Sequence, residues 1–592
     1  MQEAKQQSVA QAVQSTFTIR GRIVNPWLAL ASLVFGLFMA LLDATIVNIA
    51  IPAIQTGLKT DLTSVSWVIN AYNLVFAVLL ITIGRLADQH GRKRLFQLGM
   101  VLFSLGSLSC ALSPEMSSLT GISAINWLIG SRAAQAVGAA ALTPISMAIM
   151  MAVFPQRLRG AAIGVWGAIA GLATAVGPVL GGFLIQALSW HWIFFVNLPI
   201  CMIGLVMVAL FVPETHDAHG SKHIDIPGVL TLSVAVFCCV LAIIEGNSWG
   251  WLSAPILSLF GATLVGLVFF VIAEMKQDEP IVDFGLFKLV SFTGASVTMF
   301  LIGIGMQGAF LITVLYFINA RGYTQLNAAY ALLPIPLASL VISVIAGRLS
   351  QRINAHLIGM AGVALTVIGF ALLSVLGTNA AYIDIAWRSI FLGVGTGMAF
   401  QGLPNISLEY VPSVKLGVGS GVFNTFRQIG FTLGVAVLIS IFVGQLQVNL
   451  TQAESTSIAL VRADTTIPIQ MRNSIVAALQ QTTNSQSSSS SGESTSSGSG
   501  NSFDLTTLVN KLPPRTPEQT KAAMRADLSR LNGAIQDQYQ TQVVDTFKMT
   551  WLVSALFTML GLIAAIVTFV ARRRDPQQQR LVEQESVGAA LG

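Results

Sequence analysis

Fourteen apolar runs, each near the length needed to cross a bilayer, dominate the chain: 27–51, 65–83, 95–113, 125–150, 160–188, 192–212, 226–245, 254–273, 291–317, 328–347, 355–377, 385–406, 416–443 and 549–571. A helix must cover roughly 20 apolar residues to span the hydrocarbon core. Lipid offers no partner to an open backbone group, so such runs must be helical. A membrane β-barrel would instead alternate in segments of about 10 residues, a pattern absent from the sequence. Composition agrees: the 592 residues are 54% hydrophobic and 10% charged, with a mean hydropathy of +0.72. Soluble domains carry about 25% charged residues, so this chain lacks the polar side chains to coat a water-facing surface. The expected fold is all-α and integral to the membrane.

The net charge of +6 and pI near 9.2 would suit a nucleic-acid binder, but the basic residues follow topology instead. With the N-terminus inside, the inside segments hold nineteen Lys and Arg, and the short outside loops only Lys59 and Arg321. Cytoplasmic loops carry that excess. Both termini are therefore expected in the cytoplasm, in a multi-pass protein of the cell membrane with no nucleic-acid partner. The first run follows a polar stretch of 26 residues and is far longer than a signal-peptide core, so no cleavage is expected. Cys110, Cys201, Cys238 and Cys239 lie in or at the end of apolar runs. They lack metal-ligand spacing and read as packing or lipid-facing residues.

One outside segment is long, 444–548. Its stretch Ser485 to Ser502 is nearly all Ser, Gly, Asn and Thr, which cannot bury a core and is expected to be disordered. Pro517 to Val544 is polar and helix-prone, and predicts an outside helix. The plain reading of the whole segment is a tolerated insertion.

An internal repeat runs through the chain at an offset of eight spans. Gly84-Arg85-Leu86 ends span two and Gly347-Arg348-Leu349 ends span ten. Arg132 before Gly138 in span four matches Arg388 before Gly393, Gly395 and Gly397 in span twelve. Spans five and thirteen are both glycine-spaced. The repeat predicts a tail 1–26, a six-helix half 27–213, a linker 214–290 with two inserted helices, a second six-helix half 291–572 and a tail 573–592. Rocking of one half against the other would give alternating access.

Asp43, inside span one, is the strongest single site. A carboxylate in lipid costs at least about 3 kcal/mol, so it must face the bundle interior or a wet cavity. Desolvation and a nearby cation act on it in opposite directions, and a carboxyl balanced between them exchanges protons. At 1.5 Å per residue, Asp43 lies about 12 Å below the outer end of span one, and Arg132 about 10 Å below that of span four. They are expected to pair, with a water-accessible route to Asp43 between the halves. Arg388 is read as a helix organiser, and Arg427 as a base held in static bonds between helices, because a buried guanidinium needs a carboxylate, carbonyls or water. Asn70, Tyr72, Asn73, Gln135, Trp166, Met306, Gln307, Tyr316 and Asn424 are the residues expected at a substrate cavity, where aromatic faces suit lipophilic cations and Met adapts to varied ligands.

The loop Gly84-Arg85-Leu86-Ala87-Asp88-Gln89-His90-Gly91-Arg92-Lys93-Arg94 resembles the signature between spans two and three of the major facilitator superfamily. The resemblance implies a cytoplasmic latch holding the outward-open state, built on Gly84, Asp88, Gly91 and Arg92, with Asp88 reaching Arg159 or a helix start in the other half. Gln89 stands where the family often has a basic residue. Span five, from Gly171 through Gly177-Pro178-Val179-Leu180-Gly181-Gly182, resembles the superfamily's antiporter signature, with Ala173 where Gly is usual. Leu42-Asp43 to Pro52, Arg132-Ala133-Ala134-Gln135, and Trp190 to Pro199 with His191 where Arg is common are similar to the fourteen-span drug:proton antiporters. The resemblance covers most of the chain apart from the long loop.

That family implies two six-helix halves plus two inserted helices, acting as a monomer that exports drug-like or lipophilic compounds against protons. It implies no bound cofactor or metal, the proton gradient being the energy source, with Asp43 and Arg132 coupling the proton. An exporter of one dedicated metabolite or lipid is the alternative. A membrane enzyme or sensor has little support: the sequence has no Walker loop, nucleophile elbow or His/Glu metal cluster.

Overall fold

A computed structural model of the chain describes residues 17–19, 22–215, 226–277, 284–350, 353–377, 380–411, 416–464, 466–488 and 518–572. A short antiparallel hairpin, β1 (Phe17–Ile19) and β2 (Arg22–Val24), precedes the bundle. Helices then lie over every predicted apolar run. They are α1 (Pro26–Leu58), α2 (Leu62–His90), α3 (Arg92–Ala111), α4 (Ser113–Thr120), α5 (Ala124–Val153), α6 (Gln156–Ala187), α7 (Trp192–Phe195) and α8 (Asn197–Phe211). After them come α9 (Ile226–Trp249), α10 (Ala254–Lys276), α11 (Val290–Leu315), α12 (Gln325–Leu332), α13 (Pro334–Leu349), α14 (Ala355–Ser374) and α15 (Tyr382–Leu408). The last three are α16 (Leu416–Ala463), α17 (Ile469–Ser488) and α18 (Glu518–Arg572). Among the described residues, 11 helical segments are long and apolar enough to cross a membrane.

Polar residues between the runs set the helix starts. Asn25 caps α1 by accepting from the Trp27 N–H, with Pro26 in the first turn, where no donor is missed. Asp61 caps α2, Ser253 α10, Thr324 α12 and Asn354 α14 in the same way.

The helices associate in two groups. In the first, α5 packs on α2 and α3, and α1 on α5, α6 and α8. In the second, α11 packs on α16 and α18, and α15 on α13 and α14. The groups meet where α2 lies against α16 and where α6 lies against α12 and α13. The α9–α10 pair sits outside. α9 touches both α2 and α16, whereas only 11% of the apolar window of α10 is buried, leaving Leu264, Phe269 and Met275 facing outward. Outward apolar side chains on that scale suit acyl chains and not water.

At about 1.5 Å per residue, the 48 residues of α16 and the 55 of α18 run to about 72 and 82 Å, far beyond a core of about 30 Å. Their polar ends join α17 in a small unit with its own apolar core: Val461, Ile475, Leu479, Leu528, Leu531 and Ile535. The outside helix expected over Pro517–Val544 is thus the start of α18, from Glu518, continuous with the last apolar run. The expectation of disorder from Ser485 is corrected over its first residues, because α17 continues to Ser488; 489–502 lies outside the described residues.

Candidate functional site

Asp43 lies mid-way along α1 and has no exposed surface. Arg132 and Gln135, one turn apart on α5, both reach it. Arg132 Nη1 donates to Asp43 Oδ2 at 2.5 Å, and Gln135 Nε2 donates to Oδ1 at 3.0 Å. Asn197, at the start of α8, donates from Nδ2 to Oδ1 at 3.1 Å and to Ser107 Oγ at 3.0 Å. The arginine is itself held: Nη1 donates to Gln135 Oε1 at 2.6 Å and Nε to the Val68 carbonyl at 3.2 Å. Its guanidinium carbon stands 4.1 Å from the centre of the Tyr72 ring, whose π face supports a cation.

Buried ions persist only when paired and hydrogen-bonded, and here both conditions hold. Removing either charge would strand the other in the apolar interior. The expected water route to Asp43 is absent from this conformation, because Asp43, Arg132, Gln135 and Asn197 are all sealed.

Glycines of α6 bring that helix against α1. A Cβ at Gly177 would collide with Thr45 Oγ1, and one at Gly181 would lie 2.7 Å from Ile46 and Ile49 side-chain carbons. At Gly182 it would lie 2.9 Å from Leu326 Cα of α12, in the other helix group. Pro178 is buried between them. The Gly171 position lies in α6, but its surroundings are outside the description.

The loop between α2 and α3 is fastened by a residue that the sequence reading missed, Glu214. Its Oε1 accepts from the Lys93 N–H at 2.9 Å, at the start of α3, where free N–H groups attract a carboxylate. Arg94 Nε is 3.8 Å from Oε2. Gly91 adopts φ +108, and a Cβ there would lie 2.9 Å from the Glu214 carboxyl. Arg92 is half-buried, and its N–H donates to the Thr215 carbonyl at 3.0 Å. The side chains of Asp88 and Arg159, and the surroundings of Gly84, lie outside the described residues. Asn197 was also missed, although it stands inside the Trp190–Pro199 motif. An amide in an apolar helix start, and an acid following Pro213 opposite a basic loop, were the available signals.

The expected cavity residues do not form one site. Gln135 belongs to the Asp43 network. Tyr316 is fully buried in aromatic packing, with ring centres 5.3 Å from Phe547 and 5.2 Å from Trp551, so it is a core residue. Trp166 donates to Ser146 Oγ at 3.3 Å and packs against the buried cluster of Leu30, Met150, Phe154 and Ala162 within the first group. Asn424 donates back to the Ser420 carbonyl of its own helix, and Met306 and Gln307 are half-buried on α11. Asn70 is fully buried with neither amide atom partnered, and Asn73 Nδ2 is likewise buried and unpartnered. The static bonds expected of Arg427 are also corrected, since it makes no hydrogen bond or ion pair with any described residue. Among the described residues, no three His, Cys, Asp or Glu side chains gather as a metal site.

A family model described as Major Facilitator Superfamily matches residues 33–435. The chain is 33% identical over 416 residues to multidrug resistance protein Stp of Mycobacterium tuberculosis, covering 70% of this chain and 75% of that one. It is 29% identical over 420 residues to the tetracenomycin C resistance and export protein of Streptomyces glaucescens, covering 71% of this chain and 76% of that one. The fold resembles a solved bacterial homolog of the human lysosomal transporter Spinster, inward-facing and occupied. The TM-score is 0.51 at 14% identity, with 93% of this chain and 97% of that one covered. With its family model, helical architecture and transporter relatives in agreement, the chain belongs to the Major Facilitator Superfamily and is a multi-pass membrane transporter, not an enzyme.

Proposed function

We propose that this transporter is a proton-driven exporter of drug-like or lipophilic compounds with fourteen spans in the cell membrane and both termini in the cytoplasm. Spans of α1–α8 would form one six-helix half and those of α11–α18 the other, with α9 and α10 inserted between them. One observation carries the reading: a carboxylate without solvent contact at mid-span, held by one guanidinium and two amides. Proton uptake at Asp43 would release Arg132 and loosen α1 from α5, favouring the opposite-facing state; the sealed pair then represents an occluded step of the cycle. The glycines that press α6 onto α1 and α12 would transmit the change to the second half. A relative whose name says resistance and export supports the direction. The tetracenomycin relative favours a second reading, one dedicated substrate.

The test is dye transport in reconstituted vesicles under an imposed pH gradient, with ethidium, rhodamine 6G and fluorescein as probes. Native protein is expected to drive at least one of them, and Asp43→Asn to lose the gradient response while remaining folded. Unchanged coupling in the variant would place the proton elsewhere. Many structurally unrelated probes moved would favour the first reading, and one compound class alone the second.

A further inference from the structure

We propose that Arg427 is the anion-recognising group of the substrate site, so that the preferred cargo is a lipophilic compound carrying an acidic group. The proposal rests on the exporter reading and deepens it.

The position of Arg427 follows from the stripes of α16. Phe423 packs with Ala295 and Met299 of α11, and a Cβ at Gly430 or Gly434 would strike the Phe300 or Ile304 carbonyl of the same helix. On another side, Val435 and Ile439 pack with Ile46 and Ala50 of α1 and Val65 and Ile69 of α2. At 3.6 residues per turn, Arg427 falls between those stripes together with Asn424 and Phe431. That side of α16 looks into the seam where the two helix groups meet.

Arg427 meets no counter-charge among the described residues. Its Nε is buried without a partner, and the residue forms no hydrogen bond or ion pair with any described residue, while part of its surface stays open. The spans 290–315 of α11, 416–443 of α16, 355–374 of α14 and 549–571 of α18 contain neither Asp nor Glu. Asp43 is already engaged by three donors. Arg388 differs, since it stands 5.0 Å from the ring centre of its neighbour Trp387, which is exposed on the outside of the bundle. Arg427 is thus a guanidinium that no described residue neutralises. A guanidinium takes a carboxylate, sulfonate or phosphate through two parallel N–H donors, and repels a lipophilic cation. Phe431 on the same face offers apolar contact to the body of such a ligand.

The test is binding of fluorescein, an anionic dye, and rhodamine 6G, its cationic relative, to purified full-length protein in nanodiscs, read by fluorescence polarisation. Native protein is expected to bind fluorescein more tightly than rhodamine 6G. Arg427→Gln should weaken fluorescein at least about tenfold, as loss of a charged hydrogen bond implies, leave rhodamine 6G unchanged or tighter, and keep the thermal transition. Arg427→Lys, which keeps the charge but loses the two-donor fork, should retain only part of the fluorescein binding and more than Arg427→Gln. If Arg427→Gln does not fold, the native preference between the two dyes and the Lys variant still decide. Absent fluorescein binding, a native preference for rhodamine 6G, or fluorescein binding indifferent to Arg427→Gln overturns the proposal. Arg427-dependent binding without gradient-driven transport would overturn the exporter reading and leave the site standing.

Discussion

Arg132 and Arg388 stand at matching places in the repeat read from the sequence, yet their surroundings differ. Arg132 is sealed and paired with Asp43, beneath the Tyr72 ring. Arg388 is half-buried beside Trp387, with a buried Nε that nothing satisfies. The helix that the sequence repeat pairs with α1, α11, has no acidic residue over Val290–Leu315. Packing, by contrast, repeats well: Gly177 and Gly181 seat α6 on α1, and Gly430 and Gly434 seat α16 on α11. Two regions can share one packing plan while only one carries a buried ion pair. Duplicated geometry is kept by sterics, whereas a buried charge survives only where its partner is also present.

The largest expected break in that comparison comes from Arg132→Ala, which strands a buried carboxylate and should cost about 3–5 kcal/mol. Arg388→Ala should cost less than about 1 kcal/mol, because its contact with the Trp387 ring is at an exposed site. Thermal unfolding of the purified variants measures both, and equal losses would erase the asymmetry. Next come Gly181→Ala and Gly434→Ala, which probe the shared packing plan. Each should destabilise by about 1–3 kcal/mol through overpacking, and a large effect in one half alone would contradict a common plan. Asn197→Ala should cost about 1–3 kcal/mol by removing one donor from the Asp43 carboxylate, with no counterpart in the second half.

The smallest effect is expected in the unit formed by α17 and the ends of α16 and α18. A hydrogen bond from the Thr466 hydroxyl, with the Arg530 guanidinium at 3.1 Å, holds the Asp464 carboxyl below its ordinary value. A depressed carboxyl contributes stability above its unfolded value and loses it as pH falls through the folded one. Water screens such a pair, so the contribution is about a few tenths of a kcal/mol. Proteolysis of this unit should become slightly faster toward pH 3, and Asp464→Asn should flatten that dependence.

Run length and backbone satisfaction made the helical bundle legible in the sequence, and a depth count brought Asp43 and Arg132 together. Other features depend on which helix neighbours which. Asn197 meets Asp43 across 154 residues, and Glu214 meets the α3 start across 121, separations that no local pattern encodes. Arg427 shows the converse: its sequence says that a base must be satisfied, but not that packing leaves it without a partner among the described residues. Tyr316 reads equally as a cavity aromatic or a core one, and only the ring contacts decide. The apolar core between α17 and α18 had a signal. Met524, Leu528, Leu531, Ile535 and Tyr539 recur at helical spacing within the polar stretch.

Proton movement per transported molecule tests the role of Asp43 most directly. In vesicles holding a pH-sensitive dye, adding a transported substrate to native protein should move protons opposite to the substrate. Asp43→Asn should abolish that proton signal while substrate exchange down its own gradient continues. A variant that still moves protons with substrate would show that coupling lies outside the Asp43–Arg132 pair.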